Sequence, residues 1–125
     1  MFINKNINKN ISNNIYYFKL YKIKQNEFDH FIFSFNLLFK KKVKMRIIFD
    51  LSDLTIQDFL FTKQLLKFMN DNQNNTKKYI IKTALIIPNE FIRKNINFCI
   101  FNLYKPIKPN KITDSYENAF IFLNN

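Results

Sequence analysis

The sequence predicts a single α/β domain built on a mostly parallel, mixed sheet of four or five strands with about four helices. Three observations carry that expectation. β-type runs alternate with amphipathic helical stretches along the whole chain. Ile47-Ile48-Phe49 is a short continuous apolar run, suited to a strand covered on both faces. Capping-type residues stand before each helical stretch. With 125 residues the chain is long enough for one hydrophobic core and short for two domains.

The elements follow in order. Residues 1–14 are rich in Asn and Lys, which make a poor helix in spite of isoleucines at four-residue steps; a flexible arm or a short edge strand is expected there, before a domain spanning 15–125. Over 15–23, Tyr17, Lys19, Tyr21 and Ile23 alternate with Tyr16, Phe18, Leu20 and Lys22, a β pattern. Asn26 with Asp29 is a capping pair for a helix over 27–41, where Phe28, Phe31, Ile32, Phe35, Leu38 and Phe39 recur at helical spacing and lysines close the last turn. The second strand covers 43–51.

Thr55 and Asp58 resemble a capping box for a helix over 55–70, with Phe59, Leu60, Leu65, Leu66 and Met69 inward. Residues 70–78 read as its polar exit loop, with asparagines in left-handed positions. A third strand over 79–87 precedes a helix over 89–103, opened by Pro88-Asn89, with Ile92, Ile96, Cys99, Ile100 and Leu103 on one face. Pro106 and Pro109 bracket a short strand through Ile112. Asp114 with Glu117 then caps a helix over 115–124 carrying Tyr116, Ala119, Phe120 and Leu123.

No residue of the chain is glycine. Phosphate-cradling loops need glycines so that backbone N–H groups can close on the anion; a P-loop, a Rossmann turn, a G-x-S-x-G nucleophile elbow and a G-x-x-G RNA clamp are therefore excluded. The apolar share rests on sixteen Phe and nineteen Ile with two alanines, and eighteen Lys stand against Arg46 and Arg93. This composition suggests a very A/T-rich genome, that of a virus, a protist or a bacterium. It supplies part of the net charge of +11 without selection for polyanions. Dedicated phosphate and base readers also favour the planar fork of arginine. Cys99 is alone and cannot form an internal disulfide, and no apolar run reaches bilayer-spanning length. A cytoplasmic protein without a transmembrane segment is expected.

The residues Glu27-Phe28-Asp29 and the run Ile47-Ile48-Phe49-Asp50-Leu51-Ser52-Asp53-Leu54-Thr55-Ile56-Gln57-Asp58 resemble the sulfate-transporter and anti-sigma-antagonist (STAS) family. Residues 84–123, with Glu117 and Ala119 before a closing apolar pair, are similar as well. The resemblance covers about residues 15–124. It implies a STAS-like fold and a non-catalytic binding role, for a protein or, in some relatives, a small anionic or lipid ligand. In the family's anti-sigma antagonists the segment after the aspartate matching Asp58 carries a phosphorylated serine and then a glycine. Leu60 and Phe61 stand at those positions here, so a phosphorylation-dependent switch is not expected.

Asp50, Ser52 and Asp53 are candidate ligand residues, since open α/β sheets bind at the carboxyl ends of their strands; the plain alternative is strand termination and helix capping. Asp29, Asp58 and Glu117 read as caps rather than a catalytic carboxylate pair. His30 has no second ligand at metal spacing, and Cys99 lies on an apolar stripe without a basic neighbour. No catalytic residue, cofactor or metal is expected. Lys40, Lys41, Lys42, Lys44 and Arg46 form a candidate anion patch or a solvated helix end. Phe91, Phe98 and Phe101 flank the stripe of the third helix and, with Asn89 at its start, are candidates for ligand or partner binding. A regulatory interaction module with a protein partner leads. A basic module for nucleic acid or another polyanionic surface comes second, and a small-ligand or lipid carrier third.

Overall fold

The computed structural model describes residues 2–8, 14–20, 25–53, 59–98 and 108–125. The fold is α/β. In chain order its elements are β1 (Phe2–Asn8), β2 (Asn14–Leu20), α1 (Gln25–Lys40), β3 (Met45–Asp50), α2 (Phe59–Asp71), α3 (Gln73–Tyr79), β4 (Ile80–Ile86), α4 (Glu90–Phe98), β5 (Asn110–Thr113) and α5 (Tyr116–Asn124). The five strands form one sheet in sequential order. β1 pairs antiparallel with β2, through a register shift between Asn6 and Asn8, and β2, β3, β4 and β5 run parallel. Each parallel step is bridged by helix, as such connections require.

Strand alternation divides the core in two. Tyr16, Phe18, Met45, Ile47, Phe49 and Leu85 join one cluster with Phe28, Phe31, Phe35, Leu38 and Phe39 of α1 and with Leu65 and Phe68 of α2. On the opposite face Ile15, Ile48, Ala84 and Ile86 pack against Ala119 and Leu123 of α5. Ile47 and Ile48, both fully buried, belong one to each cluster, which is what a doubly covered central strand predicts. The two alanines sit together in the thinner cluster, where the backbone of α5 comes close to β4.

Four features differ from the sequence reading. Residues 70–78 are no exit loop: α2 continues to Asp71 and α3 follows at once. Asn72, at φ −107°, breaks the first helix, while its carbonyl accepts from Thr76 N at 2.9 Å and opens the next. Burial of Thr76 and Tyr79 holds this polar turn helical against poor intrinsic propensity. Among the described residues the left-handed position belongs to no asparagine but to Lys42, at φ 55°, just past α1. Lysine bears the strain of a site that glycine would fill at lower cost.

The cap of α5 is Ser115, whose Oγ accepts from Asn118 N at 3.2 Å, rather than Asp114 with Glu117. Asp114 instead accepts from Asn118 Nδ2 at 2.7 Å, and that bond holds its carboxyl below the usual range. Tyr116 and Phe120 stack on the exposed flank of α5, and only Ala119 and Leu123 of the expected stripe are buried. Thr55, Asp58, Cys99, Phe101, Leu103 and Pro106 lie outside the described residues.

Candidate functional site

The carboxyl ends of β2 and β3 bring together the polar residues most capable of chemistry. Tyr17 and Lys19 project on the α5 side of β2, because they share the parity of Ile15, and the parallel register sets Lys19 beside Asp50. Asp50 is 8 % exposed. Its Oδ1 accepts from the backbone N–H of Ser52 at 3.0 Å and from Ser52 Oγ at 2.5 Å, and its Oδ2 accepts from the hydroxyl of Tyr17. Its side chain thus turns the chain out of β3 and fastens β2 to β3, while Leu51 N donates to Ile86 O at 3.0 Å and carries the pairing one step further.

Burial pushes the phenol of Tyr17 well above its ordinary value of 10.0, and the hydrogen bond to Asp50 and the charge of Asp50 add to that. Tyr116 meets Tyr17 edge to face at 6.0 Å. Asp53 pairs with Lys19 at 3.3 Å, and both side chains are substantially solvated, so this pair contributes at most about 1 kcal/mol.

The sign of the pH dependence follows from Tyr17. Below pH 10.0 the phenol is neutral in the folded and the unfolded chain alike, and its stabilising contribution is fully present. Above that value the unfolded chain releases the proton while the folded one keeps it, so stability falls as pH rises toward the folded pKa. Urea unfolding is expected to show Tyr17→Phe about 1–2 kcal/mol less stable near neutrality, with the gap to the wild type narrowing above pH 10.0. A gap that stays constant would show that the phenol does not hold its proton more tightly when folded.

Of the residues singled out in the sequence, Asp50, Ser52 and Asp53 share this site. Asn89 lies apart from it as the cap of α4, accepting from Ile92 N at 3.0 Å, next to the exposed Phe91. The side chains of Phe98 and Phe101 lie outside the described residues. Lys40, Lys41, Lys42 and Lys44 are exposed, and Arg46 is half-buried within β3. His30 is exposed on α1. Sequence reasoning missed Tyr17, Lys19 and Tyr116; the alternation of β2 already set the first two on one face, but the partner strand supplying Asp50 was not legible. Among the described residues no group of three or more His, Cys, Asp or Glu could hold a metal ion, and no helix is long and apolar enough to cross a membrane.

Comparison with known proteins gave no match to any family model, curated protein or solved structure.

Proposed function

We propose that this chain is a non-catalytic, STAS-like interaction module that works without a phosphorylation switch. The observation that carries the reading is the use made of Asp50: both oxygens of the best-placed acid at the strand ends are taken by Tyr17 and Ser52. A group acting as base, nucleophile or ligand needs an oxygen aimed at an incoming molecule. The sequential parallel sheet, covered by helices on both faces, is compatible with the STAS-like architecture that the residues around Asp50 resemble. A protein partner is the first expectation, in a cytoplasmic setting.

A second reading, a basic module for nucleic acid or another polyanionic surface, draws on the exposure of Lys40, Lys41, Lys42 and Lys44 around the end of α1. Purified protein assayed for nucleotide and ester hydrolysis, and titrated with duplex DNA at low and high salt, separates the possibilities. Neither hydrolysis nor appreciable DNA binding is expected. Hydrolysis abolished by Asp50→Asn or Asp53→Asn would overturn the module, and tight DNA binding lost steeply with salt would favour the second reading.

A further inference from the structure

α1 carries more apolar surface than the sheet needs. Its inward stripe, Phe28, Phe31, Phe35, Leu38 and Phe39, already fills the core. One turn apart on the outward side, Phe33 and Leu37 are 62 % and 45 % exposed. Two large apolar side chains exposed together and rimmed by the polar Asn36 and Lys40 form a patch of the kind that marks an interaction site. Phe33 and Leu37 do not stand on a convex surface. With Asn36 and Lys40 of α1, Lys42 beyond it, and Asn75 and Tyr79 of α3, they line a recess of about 450 Å³.

The rim is cationic. Lys40 and Lys42 line the recess itself, Lys41 and Lys44 are exposed beside it in the chain, and Lys77 and Lys78 occupy the last turn of α3, with Lys78 5.5 Å over the ring of Tyr79. No carboxylate is among the described residues that line the recess.

We infer that this recess between α1 and α3 docks an acidic amphipathic helix of a partner protein, whose apolar side chains seat on Phe33 and Leu37 and whose carboxylates meet Lys40 and Lys42. The assignment rests on the interaction-module reading and gives its partner a chemistry. Charge decides against a second copy of this chain, because the net charge of +11 would bring like charges onto the lysine rim. Ring geometry decides against single-stranded nucleic acid. Phe39 and Tyr79 are buried, so among the described residues of the lining Phe33 is the one exposed aromatic ring, and a single ring is no platform on which successive bases could stack. Apolar anchors at helical spacing in a groove, with charge complementary at its rim, are how helix-in-groove recognition works.

The test is fluorescence anisotropy on the full chain with two labelled model helices: one with leucines on one face and glutamates on the other, and one with lysines in place of the glutamates. A single-stranded RNA and phosphatidylserine vesicles serve as competing probes. The glutamate helix is expected to bind and the lysine helix not. Leu37→Glu should weaken binding at least about tenfold, and so should the pair Lys40→Glu with Lys42→Glu. Circular dichroism checks that each variant folds, and Phe33→Glu replaces Leu37→Glu if the latter does not. Equal binding of both helices, or glutamate-helix binding untouched by these substitutions, overturns the recess assignment and leaves the module standing. RNA or vesicles binding more tightly than the glutamate helix, with affinity lost at high salt and indifferent to Leu37→Glu, overturns both.

Discussion

Phe35→Ala is expected to lower the stability of the domain by about 3–5 kcal/mol. The ring is fully buried at the centre of an aromatic cluster: its centroid lies 5.5 Å from that of Phe18, 5.8 Å from Phe31, 5.1 Å from Phe39, 6.0 Å from Phe49 and 5.7 Å from Phe68. Truncation removes the transfer free energy of the ring and leaves a cavity walled by other rings, which are stiff and fill it poorly. It also removes ring pairs each worth about 0.5–1.5 kcal/mol beyond their burial. Domains of this size are stable by roughly 5–15 kcal/mol, so the loss is a large fraction of the total. In urea the midpoint should fall by about 2 M at an unchanged slope. Phe91→Ala is the control: this ring is 64 % exposed on α4, and its removal should stay within about 0.5 kcal/mol. Similar effects at the two positions would show that the cluster is not the centre of the fold.

The same cluster explains which parts of the fold were legible in the chain. Phe28, Phe31, Phe35, Leu38 and Phe39 repeat at a spacing that only a helix converts into one face, and Ile47 and Ile48 can both be buried only in a strand with helices on both sides. These patterns are periodic and therefore readable. α3 was not, because Gln73–Tyr79 has no apolar period; its helicity comes from the burial of Thr76 and Tyr79 and from the bond between Thr76 Oγ1 and Met69 O at 3.1 Å. The exposure of Tyr116 and Phe120 escaped for a related reason: the sheet face under α5 is lined by Ile15, Ile48, Ala84 and Ile86, and a nine-residue helix covers it with Ala119 and Leu123, flanked by the partly buried Phe122.

The strand-end site was half legible. Asp50, Ser52 and Asp53 stood out because acids and a hydroxyl follow directly on an apolar run. Tyr17 did not, because its meaning depends on a parallel pairing 33 residues distant in sequence. Lys40 and Lys42 were visible as charges, whereas the apolar recess beside them needs α3 to close it.

Asp50→Ala is expected to cost about 2–3 kcal/mol, since it removes three hydrogen bonds at once and leaves the half-buried hydroxyl of Tyr17 without its acceptor. The hydroxyl of Tyr17, held between β2 and β3 and pressed by Tyr116, loses its acceptor, and the turn at Ser52 loses the side chain that pins it. Asp50→Asn keeps an acceptor for Ser52 N and should cost about half as much. A double-mutant cycle isolates the contact between strands: Tyr17→Phe with Asp50→Ala removes both partners, so the pair should be less damaging than the sum of the single changes by at least about 0.5 kcal/mol. Urea unfolding of the four proteins measures this directly. Additive losses would show that the Tyr17 hydroxyl and Asp50 do not act together, and the strand-end acid would then be free for another role. A coupled loss would show that Asp50 fastens β2 to β3 through the Tyr17 hydroxyl.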